Sequence, residues 1–167
     1  EHGVIIVKPL GSEPVFHGKT ARAFYSTVIR ASEMLDTDGL DIAPAIFQQH
    51  LSGMVDIRVT VVEEKVFACE IRKLPHVIHR PDWRELIDDD DLDYVPTKLP
   101  TKINRACIVM LRRLNLKFGA FDFMFDPLTK QYWFLEVNPN GQWAFVENQS
   151  GLPIAKTLAE LFEQGSA

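Results

Sequence analysis

Short runs of apolar residues, alternating with polar ones or rich in β-branched side chains, recur along this chain more often than helical spacing does. Residues 4–7, VIIV, read as a buried strand that ends at Lys8-Pro9. Residues 10–20 carry Gly11, Pro14 and Gly18 and read as a loop, followed by a second strand over 21–29. A helical turn is predicted at 32–35 and a polar, turn-rich stretch at 36–44. AIFQQHL, residues 45–51, is a third strand, broken by Ser52-Gly53. Residues 55–63 and 65–71 form a hairpin around Glu63-Glu64. From 72 to 100 the pattern dissolves among Pro75, Pro81, Pro96 and Pro100, and the acidic run 88–91 reads as a solvated turn. Helical spacing returns over 101–115, where Ile103, Cys107, Met110, Leu111 and Leu114 make an apolar stripe and Arg105, Arg112 and Arg113 take the wet face. Two more strand-like runs follow, FGAFDFMF and YWFLEV, joined by the turn signal DPLTK. A last amphipathic helix starts after Gly151-Leu152-Pro153, with Ile154, Leu158, Leu161 and Phe162 inward. The pattern predicts an α+β fold without internal repeats.

The final hairpin carries the chemistry. Asp122 lies inside FGAFDFMF, Glu136 near the end of YWFLEV, and Asn138 two residues further on. Side chains alternate faces along a strand, so Glu136 and Asn138 point the same way. A hairpin centred on Thr129 places Asp122 opposite Glu136 on that face. Two ionised carboxylates side by side repel, and each costs several kcal/mol to bury without a partner. A hard divalent cation removes both penalties, and magnesium takes carboxylate and amide oxygens while leaving positions for phosphates. Taken singly, Asp122 is better explained as a hydrogen-bonded strand acid and Glu136 as an edge residue in water. The three together, followed by NPNG, favour a metal site.

Composition narrows the class. The chain has 167 residues, enough for about one domain, with 46 % apolar and 25 % charged residues, an ordinary globular balance. Net charge is −5 with no basic block, which argues against nucleic acid as a partner. No run approaches the ~18 apolar residues of a membrane span. The two cysteines, Cys69 and Cys107, form no CxxC pattern, so a reducing, cytoplasmic setting is the expectation. A start almost inside a strand, at Glu1, suggests a piece of a longer protein.

A phosphate-serving metal needs cations around it. Lys8 closes the first strand in VKP, as a ligand contact or a solvated tip. Arg58 lies among apolar residues in VDIRVTVV and shares a face with Asp56, so the two either pair with each other or serve a ligand. Arg72, Lys73, Arg80 and Arg84 are spread through the irregular stretch, where basic residues can fold over phosphates. Neither GxxxxGK[ST] nor GxGxxG occurs, so neither a P-loop nor a dinucleotide fingerprint is supported.

The order of these motifs resembles the ATP-grasp ligases: VIIVKP, IFQQHL, DIRVTVV, a basic loop with DWR, FGAFDFMF, then FLEVNPNGQW and a Leu-Pro helix. Within them it is similar to the RimK-type glutamate ligases and, nearer still, to the maturases of microviridin-like (graspetide) ribosomal peptides, through LEVNPNGQW followed by GLPI. The likeness covers nearly the whole chain. It implies an ATP-grasp fold of antiparallel sheets with flanking helices and a nucleotide site between two lobes. Residues 1–51 would be the remainder of the small lobe with its hinge strand, and 52–167 the large lobe with the metal site. Residue by residue, it implies that Lys8 touches nucleotide phosphates, that Gln49 and His50 line the adenine through their backbone, and that Asp56 lies near the ribose. Arg58 would join the nucleotide site, and Asp122, Glu136 and Asn138 would bind one or two magnesium ions. Arg84 would meet phosphate or substrate, and Arg72 would stabilise the transferring phosphoryl group. The chain departs from the family pattern in starting at the VKP strand and in a glycine-poor phosphate loop.

The function implied is an ATP- and Mg²⁺-dependent carboxylate–amine or carboxylate–hydroxyl ligase acting through an acylphosphate, with a ribosomal precursor peptide or protein carboxylate as substrate. The alternatives are a RimK-like ligase adding amino acids to a protein tail and a nucleotide-binding module without ligase activity. The piece alone is not expected to ligate, because substrate surface in this family usually comes from an amino-terminal portion. A homodimer is left open.

Overall fold

The computed structural model describes residues 3–10, 15–17, 20–22, 24–30, 32, 40, 42–86 and 90–164. The chain divides into two compact units, Glu1–Ser52 with Lys73–Leu92, and Gly53–Arg72 with Asp93–Ala167.

In the first unit, β1 (Val4–Pro9) is the middle strand of a three-stranded antiparallel sheet. Thr27–Arg30 and Ala45–Gln49, numbered β4 and β5 below, flank it, with Val7 opposite Thr27 on one side and Phe47 on the other. The stretch read as a loop holds a small hairpin of β2 (Val15–His17) and β3 (Thr20–Arg22). The strand expected over 21–29 is therefore two strands, interrupted around Ser26. The break has a physical cause: the Ser26 N–H is buried and donates to the Asp82 carboxylate at 3.0 Å instead of to a neighbouring strand. Asp82 precedes a 3-10 turn, Trp83–Leu86, whose Leu86 is buried. Of the readings for 32–35 and 36–44, only residues 32, 40 and 42–44 fall within the described residues, and residues 88 and 89 of the acidic run lie outside them. Asp91, the last of that run, pairs with His76 at 2.7 Å.

The second unit is a five-stranded sheet in the order β10-β9-β6-β7-β8. Its strands are β6 (Val55–Val62), β7 (Lys65–Lys73), β8 (Leu92–Thr97), β9 (Phe118–Phe125) and β10 (Tyr132–Asn138). The β6–β7 hairpin turns where expected, with Glu63 in the left-handed region at φ 52°. One face packs Ile57, Val59, Val61, Ala68, Phe121 and Phe123 against Cys107 and Leu111 of α1 (Thr101–Arg113). The other packs Cys69 against Val146 of α2 (Ala144–Ser150) and Ile154 of α3 (Ile154–Gln164). Burying a side chain such as Phe121 contributes about 2–3 kcal/mol, so the alternating strands hold this sandwich together. Gly151, at φ 73°, ends α2 in the left-handed conformation that glycine adopts without a Cβ penalty.

This α+β architecture matches the expected fold class, with further corrections to single elements and residues. Strand β8 lies in the stretch read as irregular; its Pro96 is tolerable because β8 is an edge strand. Helix α2, seven residues long, is too short to show a periodicity. Phe162 is 70 % exposed, not inward: it lies roughly 80° around α3 from Ile154, off the stripe made by Ile154, Thr157, Leu158 and Leu161. Met110 and Leu114 are likewise exposed, Leu114 being the residue that caps the end of α1. Among the described residues no helix is long and apolar enough to cross a membrane.

Candidate functional site

Pairing registers align four side chains across the sheet of the second unit. Cys69 of β7 faces Arg58 of β6, Arg58 faces Asp122 of β9, and Asp122 faces Glu136 of β10. Cross-strand partners share a face, so this polar row lies on the side of the sheet that carries α2 and α3. Asp122 and Glu136 meet through an irregularity. The turn pairs Tyr132 with Phe125, which centres the hairpin between Leu128 and Thr129, not on Thr129. Asp126 sets that turn by accepting the Leu128 and Thr129 N–H groups at 2.8 and 3.2 Å. A bulge between Phe134 and Glu136 then shifts the register by one. Phe134 keeps to the α1 face, edge-on to Phe123 at 5.6 Å, and Glu136 crosses to the face of Asp122.

Arg58 is the centre of the row. It is only 8 % exposed in a strand otherwise buried among apolar residues. Its Nη1 donates to both oxygens of Asp122, at 2.7 and 2.8 Å, and its Nη2 donates to the Gln142 carbonyl at 2.8 Å. The guanidinium lies 5.9 Å from the centre of the Phe145 ring. Its Nε is buried with no acceptor among the described residues. The NPNG loop that supplies Gln142 packs tightly against this face. Asn138 Oδ1 accepts the Asn140 N–H at 2.9 Å, a side-chain turn that folds the loop back. A Cβ on Gly141 would come 2.4 Å from the Ala120 Cβ and 3.2 Å from Arg58 Nη2, so only glycine lets the loop come this close.

The donor set suits a hard cation. Asp122, Glu136 and Asn138 offer oxygen only, and Asn138 stands opposite Ala120, two residues along from the Asp122–Glu136 pair on the same face. A carboxylate has about four lone-pair positions. Arg58 takes one on each Asp122 oxygen and leaves the others, and Glu136 is exposed to solvent. Among the described residues no three His, Cys, Asp or Glu side chains gather around one point.

The remaining residues singled out by sequence fall elsewhere. Asp56 shares the face of Arg58, two residues along, while the hydrogen bonds of Arg58 run to Asp122 and Gln142. Arg72 sits at the end of β7 with its side chain bound to Glu70, whose strand partner is Ile57, and so belongs to the opposite face. In the first unit, Lys8 is half-buried near the end of β1 opposite Ile46, Gln49 ends β5, and half-buried His50 follows. Arg84 donates to Asp82 through its backbone N–H and through Nε and Nη2 at 2.8 and 2.6 Å. Burial alone would raise the pKa of Asp82; the hydrogen bonds and charge of Arg84 and the Ser26 N–H outweigh it and bring it down to about 2. Burial pushes both Cys69 and Cys107 up to about 11, which makes them inert thiols rather than nucleophiles.

Sequence reasoning passed over Gly141, the Gln142 carbonyl, Phe145 and Asp82. Gly141 carried a signal as the glycine after NPN, and Asp82 only as the first residue of DWR. The Gln142 carbonyl and Phe145 work through a backbone oxygen and a ring face, neither of which has a sequence signature, and nor does the contact of Asp82 with Ser26.

No family model and no curated protein matches the chain. Solved structures do. A RiPP-associated ATP-grasp ligase from Chryseobacterium gregarium, solved with ADP and a leader and core peptide, superposes with a TM-score of 0.81 at 25 % identity over 96 % of this chain. The macrocyclase MdnC from Microcystis aeruginosa, bound with the precursor peptide MdnA, gives 0.78 at 23 % over 96 %. D-alanine–D-alanine ligase from Bacillus anthracis gives 0.51 at 16 % over 81 % of this chain and 43 % of its own. The chain spans 48 % and 47 % of the first two, about half their length. The chain has the ATP-grasp fold, and the solved structures it is similar to include a RiPP-associated ATP-grasp ligase and a peptide-bound macrocyclase.

Proposed function

We propose that the protein containing this chain is an ATP-dependent ligase that joins a carboxylate of a ribosomal precursor peptide to an amine or hydroxyl. The observation that carries the reading is the Arg58–Asp122–Glu136 row beside the tightly packed NPNG loop, in a fold similar to that of ligases solved with ADP and peptides. In this reading a carboxylate oxygen attacks the terminal phosphorus of ATP and ADP leaves. The amine or hydroxyl then attacks the acyl carbon, phosphate leaves, and the nucleophile gives up its proton. The chain's own residues position and neutralise, which is the main work in phosphoryl transfer. Asp122, Glu136 and Asn138 would hold magnesium, which when bound neutralises charge on phosphate oxygens. Arg58, fixed by Gln142, would present its charge beside them. Lys8 would contact the phosphates, the backbone at Gln49-His50 the adenine, and Asp56 the ribose. Arg84, oriented by Asp82, would meet phosphate or substrate; Arg72, on the other face of the sheet, is given no part in this site. Neither cysteine takes part.

The test is mass spectrometry of candidate precursor peptides incubated with the protein, ATP and magnesium. Loss of one water per bond formed, abolished by Asp122→Asn, is the expected result. A mass gain of whole amino acids would replace this reading with tail addition. ATP binding without change in any peptide would reduce the protein to a nucleotide-binding module.

A further inference from the structure

We infer that Arg58 holds the Asp122–Glu136–Asn138 site closed to free divalent cations, so that a cation enters only together with an anionic, phosphate-bearing ligand. The inference rests on the reading above, in which this site takes magnesium, and adds the order in which its occupants arrive.

The argument is one of charge and fixation. The two carboxylates alone would present two negative charges to a cation. Arg58 cancels one of them at contact distance, with a single nitrogen bridging both Asp122 oxygens at 2.7 and 2.8 Å. Its charge cannot swing away as a surface lysine's could. The side chain leaves a central strand of the sheet and is 8 % exposed. Its other terminal nitrogen is tied to the Gln142 carbonyl, and the Phe145 ring lies over the guanidinium. Magnesium gives up its water reluctantly and gains little from a site whose two carboxylates and one fixed cation leave one net negative charge. A phosphate changes the balance. It brings negative charge toward both the guanidinium and the metal position, and it can accept hydrogen bonds from Arg58. The buried Nε–H without an acceptor marks a guanidinium whose hydrogen-bonding capacity the described residues do not exhaust.

The experiment uses Mn²⁺ as the probe, with free ion counted by electron paramagnetic resonance, with and without ADP, the Mn²⁺ bound by ADP alone being subtracted from a protein-free titration. Wild type without ADP should bind Mn²⁺ more weakly than about 0.1 mM, the regime of low-charge oxygen sites, and should take it up when ADP is added. Arg58→Gln should bind Mn²⁺ without ADP at least tenfold more tightly than wild type. Arg58→Lys, which keeps the charge, should stay close to wild type. Arg58→Gln no tighter than wild type, or Arg58→Lys as tight as Arg58→Gln, overturns the inference while leaving the ligase reading in place. If Arg58→Gln does not fold by circular dichroism, the wild-type titration still decides: saturable binding tighter than about 0.1 mM without ADP overturns it. Failure of wild type to bind Mn²⁺ even with ADP overturns the ligase reading itself.

Discussion

Gly141 offers a sharp test of how closely the NPNG loop must sit on the sheet. A Cβ added there would lie 2.4 Å from the Ala120 Cβ, 3.2 Å from Arg58 Nη2 and 3.4 Å from the Asn138 Cβ. Carbon atoms in contact prefer about 3.5–4.0 Å, so the first overlap exceeds ~1 Å. Ala120 is wholly buried in β9 and has no rotamer to yield, so the loop must move instead. A retreat of that size breaks the 2.8 Å bond from Arg58 to the Gln142 carbonyl and displaces Asn138 from the face it shares with Glu136. Overpacking of this kind costs about 1–3 kcal/mol, and loss of a hydrogen bond from a buried charged donor adds about 1.5–3 kcal/mol. Gly141→Ala should therefore lower urea-unfolding stability by about 2.5–6 kcal/mol. The decisive comparison is the double variant Ala120→Gly/Gly141→Ala, which moves the methyl across the contact and relieves the clash. It should recover stability relative to Gly141→Ala, despite a cost of about 1 kcal/mol for glycine inside a strand. A single variant within 0.5 kcal/mol of wild type, or a double variant less stable than the single, would refute the steric argument.

Other consequences can be checked on the same footing. Asp82 has a folded-state pKa of about 2, below its ordinary value of 3.8, so its contribution is present above pH ~4 and is lost as pH falls toward 2. Acid unfolding should show about 2 kcal/mol more stability in wild type than in Asp82→Asn at pH 6, narrowing toward pH 2; a constant gap would mean that the carboxylate's charge is not what counts. Because burial holds both thiols up to about 11, Ellman's reagent at pH 7 should label Cys69 and Cys107 only on unfolding, and fast labelling of native protein would contradict their burial.

What could be read from the sequence was whatever rests on local order. The β6–β7 and β9–β10 hairpins and helix α1 announce themselves by alternation, turn residues and a single apolar stripe. The face shared by Asp122 and Glu136 was also legible, though by a different route from the one the alternation suggested. A centre on Thr129 and a centre half a residue earlier plus a bulge give the same pairing. The partner of Arg58 was not legible. Asp56 is the local candidate, whereas Asp122 is 64 residues away, and choosing between them requires knowing that β6 lies beside β9. The same holds for Asp82. Its carboxylate reaches back 56 residues to Ser26, and nothing in either segment's pattern signals that meeting.

The Arg58–Asp122 pair itself is better explained by function than by stability. Removing two charges from water costs several kcal/mol per ion, and a buried pair commonly contributes no more than apolar residues of similar volume. The pair interrupts β6 and β9, strands whose other residues are largely apolar, where such residues would pack without that penalty. Removing one partner is another matter. Asp122→Leu would strand a guanidinium that is 9 % exposed and cost about 3 kcal/mol, the low end for such losses because Asp122 keeps 23 % of its surface in water. Arg58→Met/Asp122→Leu should come much closer to wild type, within about 2 kcal/mol, the residue of the difference being the Gln142 carbonyl left without its donor. Paired urea titrations of the two variants measure this directly. If the double variant is as unstable as the single, the pair is a structural fastener and its place beside Glu136 needs no ligand to explain it. If the double variant is stable but no longer takes up Mn²⁺ in the presence of ADP, the row exists for what it binds.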